Sequence, residues 1–172
     1  MSEETKNDDN VEAKAAPVVI HAQYLKDFSF ENPNAPFSLR STQGGPEMDI
    51  NVNLGAKEIE DDKLEDLYEV TLTLSATAQK DDKTYFLAEI QYGALTSLSG
   101  LPENQHHPML FIEVPRMMFP FARQILSDAT AQGGYPPLLL NPIDFQAMYL
   151  ERFKKELEES GTVTPKQNGK AA

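Results

Sequence analysis

Few residues in this sequence have the types and spacing that chemistry requires. Zinc needs three or four converging ligands, whereas the neighbouring histidines at 106–107 point in opposite directions on extended chain. The acidic pairs at 61–62 and 81–82 lack the spacing and the turn glycine of a calcium loop. The serines at 97 and 99 lack a nucleophile-elbow motif, and the GGP turn at 44–46 lacks the lysine of a phosphate loop. We therefore expect no enzyme, no metal and no cofactor.

An apolar segment near the C-terminus could instead bind a partner. Paired prolines hold Tyr135–Leu140 (YPPLLL) out of helix. A helical pattern follows, and the residues on its apolar face are Phe145, Met148, Tyr149, Phe153 and Leu157. Methionine and aromatic side chains repack easily, so these residues could line a groove for an extended apolar peptide. An apolar helical stripe is also typical of a core. The pattern alone leaves both interpretations open.

Composition narrows the classes of partner. The chain has 172 residues, with 15 Lys plus Arg against 27 Asp plus Glu, and a formal net charge of −12. Such a chain repels nucleic acid and anionic membranes and favours a partner with a basic patch. There is no cysteine, no apolar run of the roughly 20 residues that span a membrane, and no apolar signal sequence at the acidic N-terminus. We expect a cytoplasmic protein.

Apolar residues at even-numbered positions predict the strands. Strict alternation with polar odd-numbered positions indicates strands with one solvent-exposed face, at 20–31, 48–54, 68–78 and 86–92. The polar residues 79–83 suit a hairpin between the last two strands. Four amphipathic strands without intervening helices indicate an antiparallel sheet that is covered on one face.

Two helices are predicted after the sheet. Residues 109–132 carry a helical stripe that Pro115 and Pro120 should interrupt, so we expect a regular helix only from about Phe119. Asp144 is a suitable cap for the second helix. The fold class is therefore α+β, with a four-stranded antiparallel sheet and two helices packed on one face. The expected organisation is a disordered acidic tail at 1–16, one domain at 17–159 and a disordered tail at 160–172.

The odd-numbered face of the predicted sheet is acidic. We call it the acidic face, and it carries Leu87 among the carboxylates Asp27, Glu31, Asp49, Glu69 and Glu89. A solvated polar strand face is common, so this pattern does not by itself establish a docking surface.

Several motifs resemble one family. Residues 24–36 (YLKDFSFENPNAP) are similar to the N-terminal signature of the bacterial protein-export chaperone SecB. The resemblance continues, in the same order, at 66–70 (DLYEV), 86–91 (FLAEIQ), 119–123 (FPFAR) and 135–145 (YPPLLLNPIDF). It covers roughly residues 18–153.

The resemblance implies an ATP-independent chaperone. Members bind unfolded preproteins in the cytosol, keep them competent for translocation and deliver them to the export motor SecA. They form homotetramers that are dimers of dimers. The family positions that contact the basic tail of SecA correspond to Asp27, Glu31, Leu87 and Glu89. All four are odd-numbered, which agrees with the acidic face.

The resemblance also implies a client groove and a subunit interface. The groove positions correspond to Met48, Ile50, Val52, Tyr135, Leu138, Leu140, Phe145, Met148 and Tyr149. The interface positions in the fourth strand correspond to Ala88, Ile90 and Tyr92. Where the family often has a glycine pair, this chain has Gly93 and Ala94, which leaves the local turn geometry open.

Two other classes of function remain open at this point. One is a SecB-like chaperone dedicated to a single client, such as a toxin–antitoxin partner, which would capture one protein rather than many precursors. The other is a small-ligand-binding α+β domain, which would have a closed pocket with converging polar groups.

Overall fold

The computed structural model describes residues 16–40 and 44–159. The two predicted tails, at 1–16 and 160–172, lie outside the described residues except for Ala16. The described part has four strands followed by helices, so the predicted α+β class is confirmed.

All four strands form one antiparallel sheet in the spatial order β1-β4-β3-β2. The strands are β1 (Val19–Glu31), β2 (Glu47–Glu58), β3 (Leu67–Lys80) and β4 (Lys83–Ser97). Each predicted strand is present, and the last three are longer than the alternation indicated. The order leaves β1 and β2 at the two edges of the sheet.

The hairpin between β3 and β4 is tight. Lys80 pairs with Lys83, so that only Asp81 and Asp82 turn the chain. Both have left-handed backbone, with φ of 50° and 57°. Aspartate tolerates this conformation better than most residues, and such a turn matches the twist of the two strands. This acidic pair therefore has a conformational role.

The helices follow the sheet. A helical segment runs from α1 (Glu103–Pro108) through one π-helical turn (Met109–Glu113) into α2 (Val114–Gln132), and α3 (Phe145–Glu159) follows separately. No helix of the described residues is long and apolar enough to cross a bilayer.

The start of the long helical segment differs from the prediction. Helix begins at Glu103 and is regular from Val114, whereas the sequence predicted regular helix only from about Phe119. Pro115 cannot donate to the carbonyl of residue 111, and that carbonyl lies in the π turn, where the hydrogen-bond ladder is already loosened. The prolines thus reshape the helix without ending it.

Asp144 caps α3 as predicted. Its Oδ1 accepts a hydrogen bond of 2.9 Å from the backbone N–H of Ala147, and its carbonyl accepts one of 3.1 Å from Met148. Such a cap satisfies N–H groups that the first helical turn leaves without partners.

The even-numbered face of the sheet forms the core. Val70, Leu72, Leu74 and Ile90 are completely buried. The side chains of α2 that reach the same core are equally buried, namely Val114, Met118, Ala122 and Leu126. The alternation in β3 and β4 therefore assigned the two faces correctly.

Two register shifts in β1 break the alternation. They lie between Ile20 and Ala22 and between Leu25 and Asp27. Between the shifts, Tyr24 pairs with Gly93 on the odd-numbered face, so placing Ala22 and Tyr24 on the apolar face was wrong. A bulge adds one residue and reverses the faces, and the second bulge reverses them again. The prediction that Asp27 and Glu31 lie on the odd-numbered face of the sheet is therefore confirmed.

Candidate functional site

The acidic face is open to solvent. Asp27, Glu31 and Glu89 are exposed, and Leu87 retains 38% of its accessible surface. Strand pairing brings them together, because Glu31 lies opposite Leu87 while Glu89 follows on the same side of β4. The structure thus assembles all four residues predicted to contact SecA into one patch. Glu31 lies across the strand pair from Leu87 and Glu89 lies two residues along β4, whereas Asp27 lies opposite Gln91, further along the same face.

Asp49 lies in the same patch, on β2. It pairs with Thr77, which pairs with Leu87, so that one row across the sheet runs from Glu31 to Asp49. Asp49 is exposed and its carboxylate accepts a hydrogen bond of 3.3 Å from Asn51. The acidic face therefore extends across all four strands.

Glu69 also lies on the acidic face, but its charge is engaged within the chain. Lys26 Nζ lies 2.7 and 2.8 Å from its two carboxylate oxygens, and the Tyr24 hydroxyl donates to it at 2.5 Å. These two donors hold the pKa of Glu69 below its usual value. Burial, followed by the bond to Glu69, raises the pKa of Tyr24 to about 12. Glu69 is therefore less available to a basic partner than the sequence suggested.

Gly93 makes room for this network. The Tyr24 ring crosses over Gly93 to reach Glu69, and a Cβ at Gly93 would lie 2.6 Å from a ring carbon. Gly93 lies inside β4, which continues to Ser97. The question about turn geometry at this position is therefore settled, because no turn occurs there.

An apolar pocket lies on the other side of β2. It has a volume of about 280 Å³ between β2 and α3. Three predicted groove residues line it, namely Val52, Met148 and Tyr149. Its other lining residues are Asn53, Leu54, Phe111, Glu151, Arg152 and Phe153. We call this cavity the β2–α3 pocket.

Aromatic contacts form one wall of the pocket. Phe153 lies 5.2 Å from Phe111, 5.1 Å from Tyr149 and 4.6 Å from His107, measured between ring centroids. The His107 Nδ1 atom is also 2.9 Å from the Tyr149 hydroxyl. The sequence pattern predicts Phe153 on the apolar stripe of α3. It missed Phe111, because the π turn shifts the helical phase there.

The remaining groove residues divide into three groups. Met48 and Ile50 lie on the same side of β2 as Val52, beyond the pocket lining, and Met48 is exposed. Leu140 and Phe145 retain only 7% and 1% of their surface, and Phe145 packs edge-on against Phe119. For Leu140 and Phe145, the core interpretation of the apolar pattern therefore holds within the single chain. Leu138 is partly buried in the segment described next.

The segment from Tyr135 to Asp144 is anchored to the rest of the domain, and we call it the crossover segment. The Tyr135 hydroxyl lies 2.7 Å from Asn32 Oδ1, 2.8 Å from Ser38 Oγ and 2.9 Å from the Tyr85 carbonyl. Further along, the backbone N–H of Leu138 donates to Thr130 and Arg123 donates to the Leu140 carbonyl. Tyr135 therefore holds the segment in place and does not line the β2–α3 pocket.

The adjacent histidines have separate surroundings. His106 is buried, with its two ring nitrogens 3.2 Å from the Tyr68 hydroxyl and 3.0 Å from the Leu101 carbonyl. His107 belongs to the aromatic wall. Within residues 16–40 and 44–159, no group of three or more His, Asp or Glu side chains could hold a metal ion.

Comparison with known proteins identifies the family. A sequence model of the family described as "Preprotein translocase subunit SecB" matches residues 11–156. The protein-export protein SecB of Bartonella quintana is 48% identical over 143 residues, which cover 83% of this chain and 88% of the relative. The chain belongs to the SecB family. Membership places it among chaperones and not among enzymes.

Other SecB proteins agree with this assignment. The protein-export protein SecB of Maricaulis maris is 43% identical over 147 residues, covering 86% of this chain and 83% of the relative. The Mycobacterium tuberculosis Rv1957 SecB-like chaperone, solved with a ChAD peptide from the Rv1956 HigA1 antitoxin, superposes with a TM-score of 0.60. It is 16% identical and covers 74% of this chain and 91% of that one, so it shows a shared fold.

The three predicted interface residues are covered by the chain itself. Ile90 has no exposed surface, and Ala88 and Tyr92 are also buried in the core. The apolar partner that the even-numbered face needs is thus supplied largely by the chain's own helices. Tyr92 stacks on Phe121 of α2, whose side chain is half exposed.

Proposed function

We propose that this SecB protein is an ATP-independent export chaperone of the cytoplasm, which binds unfolded preproteins, keeps them competent for translocation and delivers them to SecA. The curated relatives, at 43% and 48% identity, are named protein-export proteins. The structure with an antitoxin peptide is far less similar, at 16% identity. These identities favour general export over dedication to a single client.

The observation that carries this proposal is the separation of two surfaces by one sheet. β2 has Asp49 on the acidic face and Val52 in the β2–α3 pocket. An apolar client segment in the pocket would leave the acidic face free for a second partner. Delivery requires that client and motor bind at the same time, and this arrangement allows it.

The chemistry of the pocket suits unfolded clients. Aromatic side chains and the thioether of Met148 line its wall. Such side chains can repack, so the surface accepts many different apolar side chains. A cavity of about 280 Å³ has room for one or two side chains, so each contact is weak. Several pockets in one oligomer would hold a long chain through multivalency.

The chemistry of the acidic face suits a basic tail of SecA. Asp27, Glu31 and Glu89 are exposed on the same face as Leu87, and Glu31 lies directly opposite it. Carboxylates steer a basic segment towards the face. The exposed apolar side chain of Leu87 on the same face can add a contact from which water is excluded. Exposed charges favour rapid association more than high affinity.

Exposed apolar surface supports assembly into a homotetramer. The outer edge of β1 is unpaired within the described sheet, and Leu25 and Phe28 on this strand are exposed. Met117 and Phe121 are exposed one turn apart on α2. Open edges and clustered apolar side chains are normally covered in a soluble protein. We place the contact between subunits at these residues rather than at Ala88 and Ile90.

The proposal is tested by separating the two activities. Asp27→Lys combined with Glu89→Lys should reduce binding to SecA at least tenfold and leave the affinity for an unfolded precursor unchanged. Met148→Asp should weaken precursor binding and spare SecA. Both affinities are measured by calorimetry on the full chain, and circular dichroism confirms folding.

Glu60→Lys is the matched control for the single acidic-face variant Glu89→Lys, because it makes the same charge change at an exposed site in the connection between β2 and β3. We expect it to leave SecA binding within about twofold of the wild type. If Glu60→Lys weakens binding as much as the acidic-face variant, net charge and not the surface is responsible. Loss of both activities in either site variant would also contradict the proposal.

A further inference from the structure

Arg152 has an unusual position in the β2–α3 pocket. Its guanidinium carbon lies 5.6 Å from the centroid of the Phe111 ring and 5.2 Å from that of Phe153. Its Nη1 donates a hydrogen bond of 2.8 Å to the Leu54 carbonyl on the edge strand β2. Arg152 therefore bridges the helix and strand sides of a pocket that is otherwise largely apolar.

These contacts fix the guanidinium before any client arrives. A surface arginine usually loses rotamer freedom when it binds something. Here the hydrogen bond to Leu54 and the two rings already restrict the side chain. Arg152 is exposed, so a client would meet a cation whose rotamer freedom these contacts already reduce.

A fixed planar cation discriminates between side chains of equal size. An aromatic ring placed over a guanidinium gains cation–π attraction, which a saturated ring of similar shape cannot provide. The pocket, at about 280 Å³, is large enough to admit a phenyl ring. Phe111 and Phe153 already show that this guanidinium lies close to aromatic rings in the structure.

We infer that Arg152 is a specificity-determining residue of the β2–α3 pocket, which selects aromatic over saturated side chains in client segments through cation–π contact. The inference rests on the proposed function, because it assumes that clients occupy this pocket. It assigns to one residue a selectivity that apolar burial alone would not produce.

The test compares two short fluorescent peptides. They are uncharged and identical, except that one carries phenylalanine where the other carries cyclohexylalanine. The measured quantity is the ratio of their dissociation constants on the full-length protein, by fluorescence anisotropy. Because cyclohexylalanine is the more apolar, the change in this ratio between variants is informative, and not its absolute value.

We expect Arg152→Met to shift the ratio against phenylalanine by about threefold to tenfold, the range that an exposed or partly desolvated cation–π contact supports. Arg152→Lys should keep part of the preference, since it retains a cation. Lys154→Met is the matched control. It removes one positive charge from an exposed position on the same helix, outside the pocket lining, and should leave the ratio unchanged.

Two outcomes would overturn the inference. An unchanged ratio in Arg152→Met, with or without equal weakening of both peptides, would show that the cation does not select. An equal shift of the ratio in Lys154→Met would show that the loss of positive charge, and not the contact in the pocket, is responsible. Failure of the wild type to bind precursor or peptides would instead reject the proposed function itself, and this inference with it.

Discussion

At the scale of single residues, the structure shows how the charge of the acidic face is distributed. Of the five carboxylates that the sequence placed there, Glu69 is engaged by Lys26 and Tyr24, whereas Asp27, Glu31 and Glu89 are exposed. A salt bridge of this kind adds little stability when it is exposed. Its effect here is to determine which carboxylates can meet a partner.

Gly93→Ala should destabilise the protein by about 1–3 kcal/mol, because the new Cβ would overlap the Tyr24 ring and force it to move. Urea unfolding at one fixed protein concentration measures the change. The same substitution in a Tyr24→Ala background should lower the free energy of unfolding by clearly less. An equal cost in both backgrounds would mean that the backbone, and not the ring, requires glycine.

The Tyr24 hydroxyl should lose its proton only at a pH well above that of an ordinary tyrosine. Its pKa is raised from 10.0 to about 12, so its protonated form is favoured in the folded state. The associated stability is fully present below pH 10 and is lost as the pH rises towards 12. Phenolate absorbance should therefore show a late step that Tyr24→Phe removes. Persistence of the whole late step in Tyr24→Phe would contradict the assignment, with Tyr68, whose pKa is also raised, as the remaining source.

At the scale of elements, side-chain hydrogen bonds position the crossover segment where regular backbone pairing is absent. Tyr135 bonds to residues next to β1 and in β4, and Thr130 and Arg123 of α2 bond to the segment's backbone. Buried backbone groups must be satisfied, and here side chains satisfy them. An apolar sequence with three prolines is thereby held in one conformation.

Tyr135→Phe should lower the free energy of unfolding by about 1–3 kcal/mol, because the single hydroxyl proton, which either Asn32 Oδ1 or the Tyr85 carbonyl accepts, would be lost. Thermal and urea unfolding measure this loss. Precursor affinity at a temperature where the variant is folded should stay unchanged. Weaker precursor binding without loss of stability would instead restore Tyr135 to the client groove that the sequence predicted.

At the scale of the whole molecule, negative charge on the acidic face can attract a basic partner before contact. The net charge of −12 repels anionic surfaces, and the acidic face presents several carboxylates on one side of the sheet. Apolar binding on the opposite side does not depend on this field. The two proposed activities should therefore respond differently to salt.

Raising the ionic strength well above 0.1 M, where the screening length is about 10 Å, should weaken SecA binding steeply and leave precursor binding nearly constant or slightly stronger. Calorimetry over a salt series measures both. Parallel weakening of both activities would show that clients are also held by charge.

Light scattering should give a solution mass near four times the chain mass of 19.2 kDa. Charged substitutions at Phe28 and Phe121 should lower that mass, because both side chains are exposed and apolar. Ala88 lies in the core, so a charge there should unfold the chain. A folded monomer at working concentrations of the wild type would remove the multivalency on which the chaperone proposal relies.

Alternation of residue types was sufficient to predict the sheet, because a strand's side chains point to opposite faces with a period of two. It identified the buried face of β3 and β4 and the exposed positions of Asp27, Glu31, Leu87 and Glu89. It failed at Tyr24, because a bulge depends on pairing with the neighbouring strand and leaves no local signature. A second bulge restored the alternation before Asp27.

The pocket was only partly predictable for a related reason. The apolar stripe of α3 pointed to Met148, Tyr149 and Phe153, but a stripe cannot tell a groove from a core. Packing in three dimensions buried Phe145, left Met148 at a cavity and brought Phe111 of the π turn to the same cavity, next to Arg152 of α3. Local patterns thus determined the elements and their polar faces, whereas contacts between residues distant in sequence decided which side chains remain available to a partner.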